Sequence, residues 1–341
     1  MPLVGKTSIL GGCIVGAGFF ADVHAEAWMR MKDVAIMAVV DPLPGKAAAL
    51  AARHGIPRSY ERIQELLHNE QVDFVDIVTR PDTHLSLTRL AAEHGRHVIC
   101  QKPMAPTIAE SIAMCEACES AGVRLMIHEN WRWQPWYREA LRLIQHGAIG
   151  PLRHLSFDWR TSDGQGPQPY ADQPYFSEMP RLLIYESLVH ILDTFRCLAG
   201  DLEITSCETR RINPLIAGED WAEIHVSFAS GATGFIHGDR HSGPQQAPVA
   251  MGSMCIEGDG GTLRITPEGE LILKDELLGF APSPAGYKGD SVFATQEHFI
   301  HCLRTGHPAE SEGHRYFRTA RLVEDAYRIA ALSITETPII A

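Results

Sequence analysis

Residues 9–21 read Ile-Leu-Gly-Gly-Cys-Ile-Val-Gly-Ala-Gly-Phe-Phe-Ala, an apolar run that halts at Gly16 and resumes as a helix-compatible stretch after Gly18. Gly16-Ala17-Gly18-Phe19-Phe20-Ala21 has the spacing GxGxxA. Between a strand and a helix, the first glycine permits a tight turn and the second lets backbone approach a pyrophosphate. The third position, where alanine is tolerated, serves packing of helix on strand. The first amides of the following helix then receive the phosphates. Alone the motif is equally compatible with a packing turn, so its surroundings decide the reading.

Those surroundings repeat one pattern. The sequence predicts strands at 9–15, 34–40, 72–78, 97–100 and 125–128, with helices at 21–31, 46–54, 63–69, 84–94 and 107–121 between them. Strands apolar on both faces, each followed by a helix, indicate a parallel sheet covered on both sides. Asp41 closes the second strand, 25 positions after Gly16, near the ~20 expected of the acid that binds the adenosine ribose. A carboxylate there accepts hydrogen bonds from ribose hydroxyls and repels a 2′-phosphate, and one lysine, Lys46, follows nearby. The cofactor read from this constellation is NAD. The other reading of Asp41 is a cap on the turn before Pro42, with Lys46 reaching a phosphate.

After His128 the texture changes. Glu129–Gly150 carries Trp131, Trp133 and Trp136, then a periodic helix closed by Gly147, a residue type common just past a helix end. From residue 151 the segments LRHLSFDWR, AEIHVSFASGATGFIHGDR and MCIEGDGGTLRITPEGELILK read as antiparallel strands with SG, DGG and PEGE turns, and 295–332 is mostly helical. The fold class is therefore α/β, a doubly wound Rossmann domain (1–128) followed by an α+β domain (129–341) with a mainly antiparallel sheet. A length of 341 residues suits two domains.

Composition excludes other classes. A net charge of -12 with no Lys/Arg stripe gives nucleic acid and anionic membranes no footprint. No stretch approaches the ~18 apolar residues of a membrane span. The N-terminus looks like a first strand and not a secretory signal, and eight scattered cysteines suit reduced thiols in a cytoplasm. Cys115 and Cys118 form a lone CxxC inside a helix, without the second pair that marks a zinc site. No metal is expected.

Residues 98–105, Val-Ile-Cys-Gln-Lys-Pro-Met-Ala, place Lys102 at the C-terminal end of a strand, where doubly wound sheets bind ligands. With the glycine turn, Asp41, Thr79-Arg80-Pro-Asp-Thr-His84, Gln101-Lys102-Pro103 and Glu186-Ser-Leu-Val-His190, the chain resembles the Gfo/Idh/MocA oxidoreductases over nearly its whole length. The resemblance implies an NAD(P)-dependent sugar or polyol dehydrogenase with a large open second sheet, through which it assembles as a homodimer or homotetramer. It implies a cofactor site of Gly16, Ala17, Gly18, Phe19, Phe20, Asp41, Thr79, Arg80, His84, Gln101 and Lys102. Lys102 would stand beside nicotinamide and substrate hydroxyl, before a proline whose peptide is often cis. Two positions depart from the family pattern: Gln101 replaces the glutamate of Glu-Lys-Pro, and Glu186 replaces the aspartate of Asp-x-x-x-His.

Hydride transfer from an alcohol needs a base for the hydroxyl proton. Lys102 is assigned that role, with His190 and Glu186 completing the catalytic set. At i and i+4, Glu186 and His190 share one helix face, and Asp193, three residues on, is placed to orient the imidazole. A neutral Gln101 would leave Lys102 easier to deprotonate than a glutamate would; the other reading is that Gln101 bonds a ribose hydroxyl. Substrate contacts fall to Lys102, Arg160, Glu186, His190, Trp131 and Arg132, with Trp133, Tyr175, His237 and Asp239 as weaker candidates. Arg160 and Asp158 alternate with Phe157 and Trp159, so one pair faces the cleft; the family layout favours Arg160. His128-Glu-Asn-Trp-Arg-Trp-Gln-Pro-Trp-Tyr-Arg138 is also similar to members that oxidise D-apiose or related aldoses at the anomeric carbon, giving a lactone. An inositol or other cyclic polyol is the nearest competing substrate, and an NAD-binding sensor or an NAD-dependent glycosidase the competing classes.

Overall fold

The structure, a computed structural model, describes residues 9–244, 248–279 and 288–336; the N-terminal residues 1–8, part of the segment weighed above as a signal, lie outside them. The chain forms two compact units, Met1–Trp133 with Lys288–Ala320 and Gln134–Tyr287 with Arg321–Ala341. A single cut at 128 therefore does not describe it: residues 288–320 belong with the first unit.

In that unit, strands β1 (Leu10–Val15), β2 (Val34–Val40), β3 (Arg58–Tyr60), β4 (Phe74–Ile77), β5 (His97–Gln101) and β6 (Leu125–His128) form one parallel sheet in the order β3-β2-β1-β4-β5-β6. Between them run α1 (Phe19–Met29), α2 (Lys46–His54), α3 (Ile63–Asn69), α4 (Pro81–Glu93) and α5 (Ile108–Ser120). The order reverses between β1 and β4, and ligands of such sheets bind at the carboxyl ends of the strands flanking that point. β4 and β5 are buried at every position, as covering on both faces requires. Gly12 lets the core close: a Cβ there would lie 2.2 Å from the Phe74 ring, which packs against Trp28 with centroids 4.9 Å apart. β3, three residues at the sheet edge, is too short to leave a pattern in the sequence.

The second unit holds α6 (Pro135–Gln145), α7 (Val189–Ala199) and an eight-stranded sheet. Its strands are β7 (Leu152–Arg160), β8 (Leu202–Arg210), β9 (Trp221–Phe228), β10 (Thr233–Asp239), β11 (Ser253–Gly258), β12 (Gly261–Ile265), β13 (Leu271–Leu273) and β14 (Glu276–Leu277), in the order β14-β13-β12-β11-β7-β10-β9-β8. All neighbours are antiparallel except β7 and β10. Burial alternates along β7, with Leu155, Phe157 and Trp159 inward. α7 covers that face: a Cβ on Gly234 would meet Phe195, and one on Gly238 would meet Leu188.

Two helices follow, α8 (Asp290–Thr305) and α9 (Gly313–Glu336), and the division between units falls within α9. Phe299 of α8 packs edge-on against Phe74. Arg124 donates to the carbonyls of Cys302 and His307, and Ser311 exchanges hydrogen bonds with Ile127. These bonds bind residues 288–320 to the edge of the parallel sheet.

Candidate active site

The glycine turn leaves the end of β1. Gly16 adopts φ +107°, and a Cβ there would lie 2.2 Å from the Val78 carbonyl oxygen, so both conformation and space demand glycine. Gly18 is the residue before α1; a Cβ there would meet nothing within 4 Å, and no side chain caps the helix. The start of α1 thus carries no capping side chain and no bulk at Gly18. Asp41 is buried, its Oδ2 accepting from Ala17 N–H at 2.8 Å and its Oδ1 from Leu43 N–H at 2.9 Å. It does cap the turn after β2, and the same carboxylate draws the glycine turn to it. Phe19 is exposed, with the Lys288 ammonium 4.6 Å from its ring centroid.

At the end of β5 the Gln101 side chain has partners within the protein. Gln101 is buried and engaged by protein at both ends of its amide: Oε1 accepts from Lys102 N–H at 2.7 Å, and Nε2 lies 3.0 Å from Nε2 of His24. His24 Nδ1 lies 2.8 Å from Asp76 Oδ2, which also accepts from the Trp28 indole at 2.6 Å. Lys102 is partly exposed, and its peptide with Pro103 is cis.

His84 is likewise engaged within the protein. It is fully buried, with Nδ1 3.1 Å from the Met104 carbonyl and Nε2 3.2 Å from that of Thr79, and burial lowers its pKa below the ordinary 6.5. It braces the loop after β4 against the loop after β5. Thr79 bonds Thr83 at 2.7 Å, and Arg80 is exposed at the start of α4. Trp131 and Arg132 are buried in a short 3₁₀ turn, Arg132 lying 3.5 Å from Glu310, so its charge already faces a carboxylate of its own unit. Cys115 and Cys118 are buried on α5, and burial pushes both thiols up to about 12, which opposes thiolate chemistry.

In the second unit, Glu186 lies in a π-helical turn, Leu183–Leu188, that runs into α7; His190 and Asp193 are buried on α7's first turns. Glu186 Oε2 accepts from the Ser187 hydroxyl at 2.9 Å. π turns concentrate at functional sites, and this one shifts Glu186 off the regular helical register assumed from spacing. Arg160 does not join them. It points to the face opposite α7, where its Nε lies 3.1 Å from Asp158 and Asp158 lies 2.5 Å from His237 Nδ1. A hollow of about 460 Å³ on that outer face includes Asp158, Arg160 and His237. Alternation along β7 separates two faces without saying which one a helix covers. Asp239 caps its own turn through the amides of His241 and Ser242, and Tyr175 is exposed.

The residue missed from sequence is Arg240. It is buried, with its guanidinium 5.5, 4.6 and 5.0 Å from the ring centroids of Trp159, Tyr170 and Phe176, and ion-paired to Asp163. Burial pushes the Asp163 carboxyl up, but the guanidinium outweighs it and holds Asp163 below the usual carboxylate range. Arg240 Nη1, Trp159 Nε1 and Tyr170 Oη are buried without a hydrogen-bond partner among the described residues. These three donors are available to a water or a polar ligand. The only signal in sequence was a charge directly after an apolar strand.

Comparison with known proteins follows the same division. Residues 11–129 match the model of an oxidoreductase family with an NAD-binding Rossmann fold, and residues 137–264 match the Gfo/Idh/MocA C-terminal domain. The chain belongs to the Gfo/Idh/MocA oxidoreductase family. It is 36% identical to D-apiose dehydrogenase of Paraburkholderia graminis over 93% of this chain and 86% of that one. It is 29% identical to scyllo-inositol 2-dehydrogenase (NAD(+)) of Bacillus subtilis over 86% of each chain. An oxidoreductase from Agrobacterium radiobacter, solved with NAD+, L-tartaric acid and magnesium, superposes with a TM-score of 0.88 at 31% identity, covering 96% of this chain and 97% of that chain.

As a Gfo/Idh/MocA oxidoreductase the protein uses NAD, and its residues fit that cofactor. The open space at Gly18 leaves room for a pyrophosphate at the start of α1. Asp41 lies at the end of β2, where an acid binds the adenosine ribose in such folds. Among the described residues no three His, Cys, Asp or Glu side chains group to hold a metal, and no helix is long and apolar enough to cross a membrane.

Proposed function

We propose that this sugar dehydrogenase oxidises the anomeric hydroxyl of an aldose such as D-apiose to the lactone, with Lys102 as the general base. The observation that carries the reading is the seat of Lys102, directly after β5 at the ligand-binding end of the parallel sheet, with its backbone N–H held by Gln101. The similarity to D-apiose dehydrogenase over most of the chain supports the substrate. NAD, when bound, supplies the acceptor for the hydride. Lys102 Nζ takes the hydroxyl proton as the anomeric C–H bond breaks and the C–O bond becomes a carbonyl, so a cyclic hemiacetal leaves as its lactone. For this the amine must be neutral, and an amide at position 101 places no carboxylate there to retain its proton. His190 and Glu186 hold substrate hydroxyls, and the donors of Arg240, Trp159 and Tyr170 suit a polyhydroxylated molecule. Self-association through the outer face of the second sheet belongs to the same reading.

An inositol is the second substrate to test, on the strength of the scyllo-inositol relative. The deciding assay follows NADH formation with NAD or NADP against free aldoses including D-apiose, inositols and acyclic polyols. NAD-dependent turnover best on D-apiose, with lactone as product, is the expected result. Turnover confined to inositols refutes the anomeric reading, and silence across the panel with tight NAD binding refutes the assignment as a dehydrogenase of free sugars.

A further inference from the structure

Asp76, His24, Gln101 and Lys102 lie on three different elements of the first unit, yet their polar atoms form one line. Its two ends have fixed chemistry. Lys102 contributes a backbone N–H, which only donates, and Asp76 contributes a carboxylate, which accepts. The bond of 2.7 Å from Lys102 N–H therefore takes the Gln101 oxygen, and the Gln101 NH₂ must face His24. At 3.0 Å from that NH₂, His24 Nε2 accepts, so the imidazole proton sits on Nδ1, where Asp76 receives it at 2.8 Å. Each bond of the line thus has one direction.

We propose that Gln101 is a positioning residue for Lys102, and that its amide is required by His24, because a glutamate at 101 would force His24 into the doubly protonated form. An ionised glutamate has no hydrogen to offer Nε2, so the imidazole would have to donate from both nitrogens, between two buried carboxylates. The His128 ring of β6 lies 4.1 Å from His24, Phe20 packs on it edge-on, and Gln296 of α8 donates to the His24 backbone carbonyl rather than to its ring. The Cys13 and Cys100 thiols near Asp76 are held protonated, by burial first and by the Asp76 charge second. His24 and Asp76 are 0% exposed, so water cannot substitute for a missing partner. The departure from Glu-Lys-Pro is thus one half of a matched pair whose other half lies 77 positions away.

This inference rests on the reading of Lys102 as base, and its test separates the two. Ring ¹⁵N resonances of His24, identified by contact with the Trp28 indole proton or by their loss in His24→Gln, report the tautomer without substrate. The expected result in the wild type is a protonated Nδ1 and a bare Nε2 that do not change from about pH 6 to about pH 8, the window in which an ordinary histidine titrates. In Gln101→Glu both nitrogens carry protons at neutral pH, and kcat falls roughly 10- to 100-fold while KM for NAD holds, as a misplaced reacting group predicts. A protonated Nε2 in the wild type, or a His24 that titrates in that window, overturns the proposal. So does Gln101→Glu with a neutral imidazole and wild-type kcat. Should Gln101→Glu not fold, the wild-type tautomer still decides. Should no sugar be oxidised, the dehydrogenase reading fails while the tautomer result stands.

Discussion

Two clusters of ionisable side chains use the same residue types to different ends. Inside the first unit, Asp76 takes the N–H groups of His24 and Trp28 where neither Asp76 nor His24 is exposed at all. On the outer face of the second sheet, Asp158 links Arg160 and His237 with the Asp158 and Arg160 side chains 47% and 50% exposed. Buried polar groups without partners are costly, so the first cluster has one arrangement and fixes what is bonded to it. The exposed Asp158–Arg160 pair exchanges with water at little cost, so it has few consequences. Position in the fold, and not residue type, separates a device from a decoration.

Removing the inner acceptor is the strongest way to probe that contrast. Asp76→Ala leaves two buried N–H groups without an acceptor and is expected to destabilise the protein by ~2–5 kcal/mol, read as a lowered urea midpoint; a loss below ~1 kcal/mol would erase the distinction. Asp41 is an intermediate case, because its carboxylate is buried but reaches the cofactor end. Asp41→Ala should cost about 2 kcal/mol from its bonds to Ala17 and Leu43, and should narrow the preference for NAD over NADP in binding titrations. An unchanged preference would remove Asp41 from the ribose.

His84 sharpens the comparison through pH. Burial lowers its folded pKa below 6.5, so below that value the unfolded chain binds the extra proton. Stability is therefore full above pH 6.5 and declines as pH falls, by at most ~1.4 kcal/mol per pH unit from this group. Unfolding free energies measured between pH 7 and pH 5 should fall less steeply in His84→Gln than in the wild type. Equal slopes would show that His84 is not the group responsible. Least affected is the outer cluster: Arg160→Ala is expected to change stability by less than ~1 kcal/mol and to leave turnover unaltered, and a marked loss of turnover would return Arg160 to the substrate.

What was legible in the sequence was what short-range pattern encodes. The turn at Gly16 follows from a spacing of adjacent residues, Asp41 from a strand's end, and Lys102 from the strand before it. The parallel sheet follows from apolar runs on both faces. What was not legible depends on pairing at a distance. Gln101 and His24 meet only because α1 packs against the sheet, Arg240 acquires its meaning from rings on two loops and a strand, and residues 288–320 join the first unit through bonds to Arg124 and Ile127. Arg160 was misplaced for a related reason, since period-two alternation cannot say which face α7 covers. The parallel pairing of β7 with β10 is equally invisible, because both strands read alike in either direction.

The measurement that bears most directly on the account is turnover of Lys102→Ala on the best sugar of the panel, beside its affinity for NAD. Loss of a positioned base predicts a fall of ~10²- to 10⁴-fold in NADH formation with NAD binding retained. A variant that keeps a tenth of wild-type turnover would contradict the assignment of Lys102 as the base.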